Sequence, residues 1–284
     1  MRALGNLRLR GMHTSEPRAT GASAAGVLIC LLAAFPFVAR PAMAQTPNGR
    51  NSGRFVVVID AAHGGDDNGA RLGDAAGGQQ GGQASEKSIT LAMSVRLRSL
   101  LAARGFTVVT TRESNVTLDS DARAQIANRA VASAAGSACL SLHASEAGSG
   151  AHIFVSSLAP TAPTRFAAWK TAQAGYVERS TKFAGVVNSA FEQSGQGGGS
   201  GPVPATLGRA SLPGIDSMTC PALAIEIAPV RTANGKVIAD VTDADYQMQV
   251  VQALVNALVE WKSETDGGAD TGRGASASGG GQTP

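Results

Sequence analysis

The 284-residue chain has no Cys-x-x-Cys pair, no helical His-x-x-x-His spacing and no apolar run that makes a comfortable membrane span; such a span needs roughly 20 residues. Each absence removes a class of function. Lacking paired thiols, the chain offers neither a thiolate zinc site nor a redox motif. Without two histidines one helical turn apart it is not a zincin. Gly64 and Gly69 have the spacing of a phosphate loop, but Ala70-Arg71 follows where a Lys-Ser/Thr pair would have to reach phosphate and magnesium. There is no internal repeat, and roughly 220 ordered residues suffice for one sizeable domain and not for a second large module.

The chain has little net charge once its first segment is set aside. Arg2, Arg8, Arg10 and Arg18 precede an apolar run from about Ala24 to Val38, and Ala42-Met43-Ala44 offers the small-x-small pattern of a signal-peptidase site. Residues 1–44 are therefore expected to be a signal peptide, cleaved near Ala44 without leaving a membrane anchor, and the protein to be periplasmic or secreted. Removing five arginines and Glu16 from 24 basic and 21 acidic residues leaves 19 and 20, a formal net charge of −1. The pI near 9.0 thus belongs to the leader. With no basic block in the remainder, a nucleic-acid partner is excluded. Cys139 and Cys220 remain; in an oxidising compartment they can close a disulfide, although two buried free thiols is the reading preferred here.

Residues 45–54 read as a linker, 55–263 as a catalytic domain and 264–284, rich in Gly, Ser and Asp, as a disordered tail. Phe55 to Ile59 is a wholly apolar, mostly β-branched run suited to a strand buried on both faces, and it ends at Asp60-Ala61-Ala62-His63. Gly64 to Gly82 follows as a loop, then a helix from Glu86 capped by Ser85, with Ile89, Met93, Leu97 and Leu101 at helical spacing. Phe106 to Arg112 is the next strand, Leu118 to Ala135 a helix capped by Asp119 or Ser120. Ala138 to Ser145 repeats the opening design, an apolar strand closing on His143. Gly150 to Ser157 is a strand carrying His152, Thr164 to Ser194 an amphipathic helix, Gln196 to Pro204 a glycine-rich loop. Pro221 to Ile227 is a core strand interrupted only by Glu226, and Asp245 to Lys262 is a closing helix. Alternating strands and helices predict a single α/β domain, a mostly parallel twisted sheet of about six strands with helices on both faces.

In a parallel sheet the carboxyl ends of strands gather on one side, where ligands bind. His63 and His143 would meet there. Glu86, in a first helical turn, can simply complement the helix dipole, but Glu226 lies in an apolar strand, where a buried carboxylate needs a cation, a proton or a function. Two histidines and a carboxylate with an open fourth position form a common catalytic zinc set. The second glutamate would carry protons.

These segments resemble the zinc-dependent N-acetylmuramoyl-L-alanine amidases of the cell-separation type (Amidase_3). The similarity lies in Val58-Ile59-Asp60-Ala61-Ala62-His63-Gly64-Gly65 with Asp67, Gly69-Ala70 and Glu86-Lys87; in Thr111-Arg112, Leu118, Arg123 and Ala127-Asn128; in Ser141-Leu142-His143-Ala144; and in Pro221-Ala222-Leu223 leading to Glu226. It implies one zinc ion per chain held by His63, Glu86 and His143, with Glu226 as catalytic glutamate. It also implies hydrolysis of the peptidoglycan amide between N-acetylmuramic acid and L-alanine. The partners expected are peptidoglycan and, although the sequence itself shows no sign of one, a protein activator; the chain is expected to be a monomer. Arg123 and Asn128 are expected to be structural, and His152 to have no ligand role. Ala62, Ser145 and Ile227-Ala228-Pro229 depart from the family pattern. They keep open a catalytically weak peptidoglycan-binding or regulatory protein on the same fold, or a zinc peptidase acting on another amide.

Overall fold

The computed structural model describes residues 53–73, 84–162, 168–195 and 201–274; the expected signal peptide lies outside them. In chain order the elements are β1 (Phe55–Ala61), β2 (Arg71–Leu72), β3 (Ala84–Ser85), α1 (Glu86–Ala102), β4 (Thr107–Thr110), α2 (Ser120–Val131), β5 (Gly136–Ala144), β6 (Gly150–Ser156), a 3-10 helix (Trp169–Gly175), α3 (Val177–Glu192), β7 (Ala205–Ala210), α4 (Pro213–Asp216), β8 (Ala222–Ala228), β9 (Val230–Arg231), β10 (Val237–Ala239) and α5 (Ala244–Gly274).

Six strands form one sheet in the order β4-β1-β5-β8-β6-β7. β1 is parallel to β4 and β5, and β5 to β8, which confirms the α/β reading. The sheet is mixed, however, because β6 runs antiparallel to β8 and carries β7 parallel to itself at the edge. Every residue of β1 is buried, as its unbroken apolar run requires.

Alternation along the strands divides the core into two layers. On one face Val57, Ile59, Leu140, Leu142, Leu223 and Ile225 pack against α1, α3 and α5 through side chains such as Met93, Leu97, Phe183, Phe191 and Leu254. On the other, Val56, Val58, Cys139, Ala222 and Ala224 meet Ala124, Ala127 and Val131 of α2 and Ile215 and Met218 in and just after α4. This second layer is thin and ends at Ala224, so the strand ends beyond it are open to a ligand. It is also cross-linked: Cys139 and Cys220 form a disulfide, not the two free thiols expected. The sulfurs meet because Cys220 lies two residues before Ala222, the first residue of β8 and the pairing partner of Cys139.

Other boundaries move for local reasons. The helix expected over Thr164 to Ser194 is divided at Tyr176, whose φ of −121° is not helical, and Trp169 is 38% exposed instead of packed in the core; Phe166 lies outside the described residues. The loop after His63 is not structureless throughout, since β2 pairs antiparallel with β3 and fully buries Leu72. α2 begins where Asp119 accepts from the Ala122 amide, an N-cap as expected, and ends at Val131. β7, absent from the sequence reading, adds the sheet edge. The last helix continues past Lys262 to Gly274, into the stretch read as a tail; residues 275–284 lie outside the described residues.

Candidate metal centre

Three parallel strands end together at the site. His63 follows β1, His143 is the penultimate residue of β5, and Glu226 of β8 is the direct pairing partner of His143. Adjacent strands are about 4.8 Å apart, so the pairing fixes how closely Glu226 approaches. Glu86 arrives from the opposite layer as the first residue of α1.

His63 is held in an unusual backbone state. Its φ of 59° makes it the only non-glycine residue with positive φ among those described, a conformation costing about 1–2 kcal/mol outside glycine. Two buried arginines hold the chain there. Arg112 donates to the carbonyls of Ala61 (2.8 Å) and Ala62 (2.9 Å), and Arg123 to those of Ala61 and His63 (both 2.7 Å). Arg123 also pairs with the buried Asp60 carboxylate at 2.7 Å. It is structural as expected, and what it braces is the turn that bears His63. Ala62, where the family pattern has glycine, does not share the positive φ, so its methyl causes no backbone strain.

Glu86 bridges the histidines. One carboxylate oxygen lies 3.0 Å from His63 Nε2 and accepts from the Ala70 amide; the other lies 3.1 Å from His143 Nδ1 and accepts from the Ala144 amide. The two amides fix the carboxylate plane. Gly69 lets the chain pass this close, since its φ is +63° and an added Cβ would lie 2.5 Å from a Glu86 oxygen and 2.7 Å from the His63 ring. One donor atom each from His63, Glu86 and His143 falls within 4.8 Å of the others, and the group could hold a metal ion. Nitrogen and carboxylate donors suit zinc, which takes both tetrahedrally.

Charge is balanced locally. Burial opposes ionisation of Glu86, but its hydrogen bonds to His143 and the Ala70 amide and the two histidines' charges outweigh it and hold the carboxyl below its ordinary value. Burial likewise opposes protonation of His143, yet Glu86, then Glu226 and Asp60, raise its proton affinity. Glu226 is pushed up, first by burial and then by the charge of Glu86, against the pull of His143 and a hydrogen bond from Ser145. A cavity of about 420 Å³ opens beside the histidines, floored by Asp60, Ser141 and Ala224 and walled by Leu118–Ser120 and Leu212–Ile215. That volume suits a small ligand group.

The remaining expected residues also have places. His152 pairs with Glu226 across β6 and β8, but its Nδ1 is 2.8 Å from Thr206 Oγ1 and the residue is outside the metal-ligand group. Asn128 joins α2 to the segment before β8, donating to the Ser217 carbonyl and accepting from the Thr219 amide. Asp67, matched only as part of a motif in the sequence, holds His63 Nδ1 at 2.7 Å. Its four-residue spacing from His63 was the available signal. No helix among the described residues is long and apolar enough to cross a membrane.

The family model described as N-acetylmuramoyl-L-alanine amidase (Amidase_3) matches residues 57–260. No curated protein sequence matches the chain. Among solved structures, the catalytic domain of CwlV, an N-acetylmuramoyl-L-alanine amidase from Bacillus (Paenibacillus) polymyxa var. colistinus, aligns with TM-score 0.51 at 23% identity over 72% of this chain and 97% of its own. The amidase Ami1 of Mycobacterium smegmatis gives 0.52 at 21% over 75% and 99%. AmiC2 of Nostoc punctiforme gives 0.51 at 21% over 74% and 98%. At these identities the structures establish the shared fold, while the family model covers most of the chain. The chain belongs to the N-acetylmuramoyl-L-alanine amidase family and is an amide hydrolase of peptidoglycan.

Proposed function

We propose that the protein is an exported zinc amidase in which His63, Glu86 and His143 hold one metal ion and Glu226 is the catalytic glutamate. The cut would free stem peptides from N-acetylmuramic acid outside the cytoplasm, as in cell separation. The signal-like segment 1–44 supports the address. The single observation carrying the mechanism is the convergence of three donor atoms within 4.8 Å, with Glu226 in register beside His143.

A zinc ion bound there supplies Lewis acidity toward the amide carbonyl and lowers the pKa of water. The protein's own groups do the rest. Glu226, with its raised proton affinity, takes the proton of the attacking water and delivers one to the departing alanine nitrogen. The 420 Å³ cavity receives the groups flanking the scissile bond.

The test is release of stem peptides from purified peptidoglycan, abolished by a chelator and restored by zinc. Glu226→Ala should retain zinc and lose turnover by about 10²–10⁴-fold. A zinc-loaded protein that leaves peptidoglycan intact, or a Glu226→Ala variant with undiminished turnover, overturns the reading.

A further inference from the structure

The two histidines reach Glu86 through different ring nitrogens, Nε2 of His63 and Nδ1 of His143. The opposite nitrogen of each is engaged elsewhere. His63 Nδ1 is 2.7 Å from Asp67 Oδ2, and the other oxygen of Asp67 accepts from the Gly69 amide at 3.0 Å. An ionised carboxylate only accepts, so His63 Nδ1 carries the proton.

On the other side, the Ser141 hydroxyl lies 2.7 Å from Asp60 Oδ2 and 3.3 Å from His143 Nε2. It has one proton, and Asp60 can take only that role of acceptor. The serine oxygen therefore accepts from His143 Nε2–H, which leaves Nδ1, the nitrogen facing Glu86, as the one that gives up its proton and presents a lone pair when a metal binds. Asp60 is itself immobilised: its Oδ1 accepts from Thr111 Oγ1 at 2.6 Å and from Arg123 at 2.7 Å. The rings stand edge to face, with planes at 89° and centroids 5.6 Å apart.

We infer that Asp67, and Asp60 acting through Ser141, are the positioning residues that assign the donor nitrogen of each histidine, Nε2 for His63 and Nδ1 for His143. The inference rests on the zinc reading above. Such outer partners fix tautomer and ring orientation, and their loss costs metal affinity without removing a ligand. The two arms differ in kind. The Asp67 arm is a local link on a side chain 60% exposed. The Asp60 arm is buried and tied to three strands, because Asp60, Ser141 and Thr111 come from β1, β5 and the residue just after β4.

The experiment is zinc affinity by competition with a chromogenic chelator, alongside the melting temperature of the metal-free protein and ring-nitrogen NMR of the zinc-loaded, ¹⁵N-histidine-labelled protein. Asp67→Ala and Ser141→Ala should each weaken zinc binding by about 10–100-fold. Asp67→Asn, which keeps an acceptor, should recover most of the loss. The NMR should identify Nε2 of His63 and Nδ1 of His143 as the metal-bound nitrogens. The Asp67→Ala melting temperature should match the parent, since that side chain is exposed; this keeps the test decisive even where Ser141→Ala disturbs folding. Parent-like zinc affinity in both alanine variants, or metal on the same nitrogen of both rings, overturns the inference. His63→Ala separates the two readings. If it loses zinc while Asp67→Ala and Ser141→Ala do not, positioning alone fails; if it too keeps zinc, the metal centre fails with it.

Discussion

The two faces of the sheet are built to different specifications. One is covered by three helices whose side chains include the fully buried Phe183, Phe191, Met93 and Leu97. The other has α2, of 12 residues, and α4, of four, over a layer dominated by alanine, valine and the half-cystines. The thick face supplies apolar burial. The thin face stops short of the strand ends, so His143 and Glu226 remain partly accessible, His143 in the lining of a cavity. The difference teaches that stability and access are separated across one sheet, and that the disulfide is where the thin face recovers order it does not obtain from burial.

Breaking the thick face should have the largest effect on folding and the least on chemistry. Phe183 is fully buried with its ring 5.2 Å from Trp261; Phe183→Ala should cost about 3–5 kcal/mol in chemical denaturation and leave the zinc affinity of the folded protein unchanged. The thin face should respond next. The Cys139–Cys220 link spans 81 residues, and replacing both cysteines by alanine should remove about 2–4 kcal/mol. A loss well below that range would mean the thin layer is held by packing alone. Gly69→Ala should act at the site more than on the fold. A left-handed residue costs about 1–2 kcal/mol once it has a Cβ, and this Cβ would displace Glu86, so calorimetry should record weaker zinc binding alongside a modest fall in melting temperature.

The smallest effect has the opposite sign. Glu226 has its proton affinity raised by burial in the folded, metal-free protein, so its ionised form opposes folding at pH values above that raised pKa. Glu226→Gln should therefore raise the melting temperature of chelator-treated protein at neutral pH. The gain should shrink as pH falls, vanishing below the ordinary value of 4.5, where the glutamate is protonated folded or unfolded. A melting temperature unchanged at neutral pH would contradict the burial assigned to this carboxylate.

What the sequence disclosed follows the same division. β1 and β5 were legible because strands buried on both faces are continuous apolar runs, and their terminal histidines interrupt those runs abruptly. Glu226 stood out for the same reason. β7 was not legible, because Thr206, Gly208 and Arg209 break the pattern and an edge strand needs to satisfy only one neighbour. The reversal of β6 was hidden too, since burial is the same in either strand direction. The disulfide depends on how strands pair and not on where cysteines fall in the chain. Asp67 and Ser141 were visible as family matches, but their work on the far ring nitrogens exists only once His63 and His143 face each other.

The most direct test of the central claim is anomalous diffraction at the zinc edge from crystals of the zinc-loaded protein. One peak about 2.0–2.2 Å from His63 Nε2, a Glu86 oxygen and His143 Nδ1, with Glu226 beside it and outside its coordination, is the predicted result. A peak held by His152 or Asp67 in place of one of those three, or zinc bound only away from the thin face, would contradict the account.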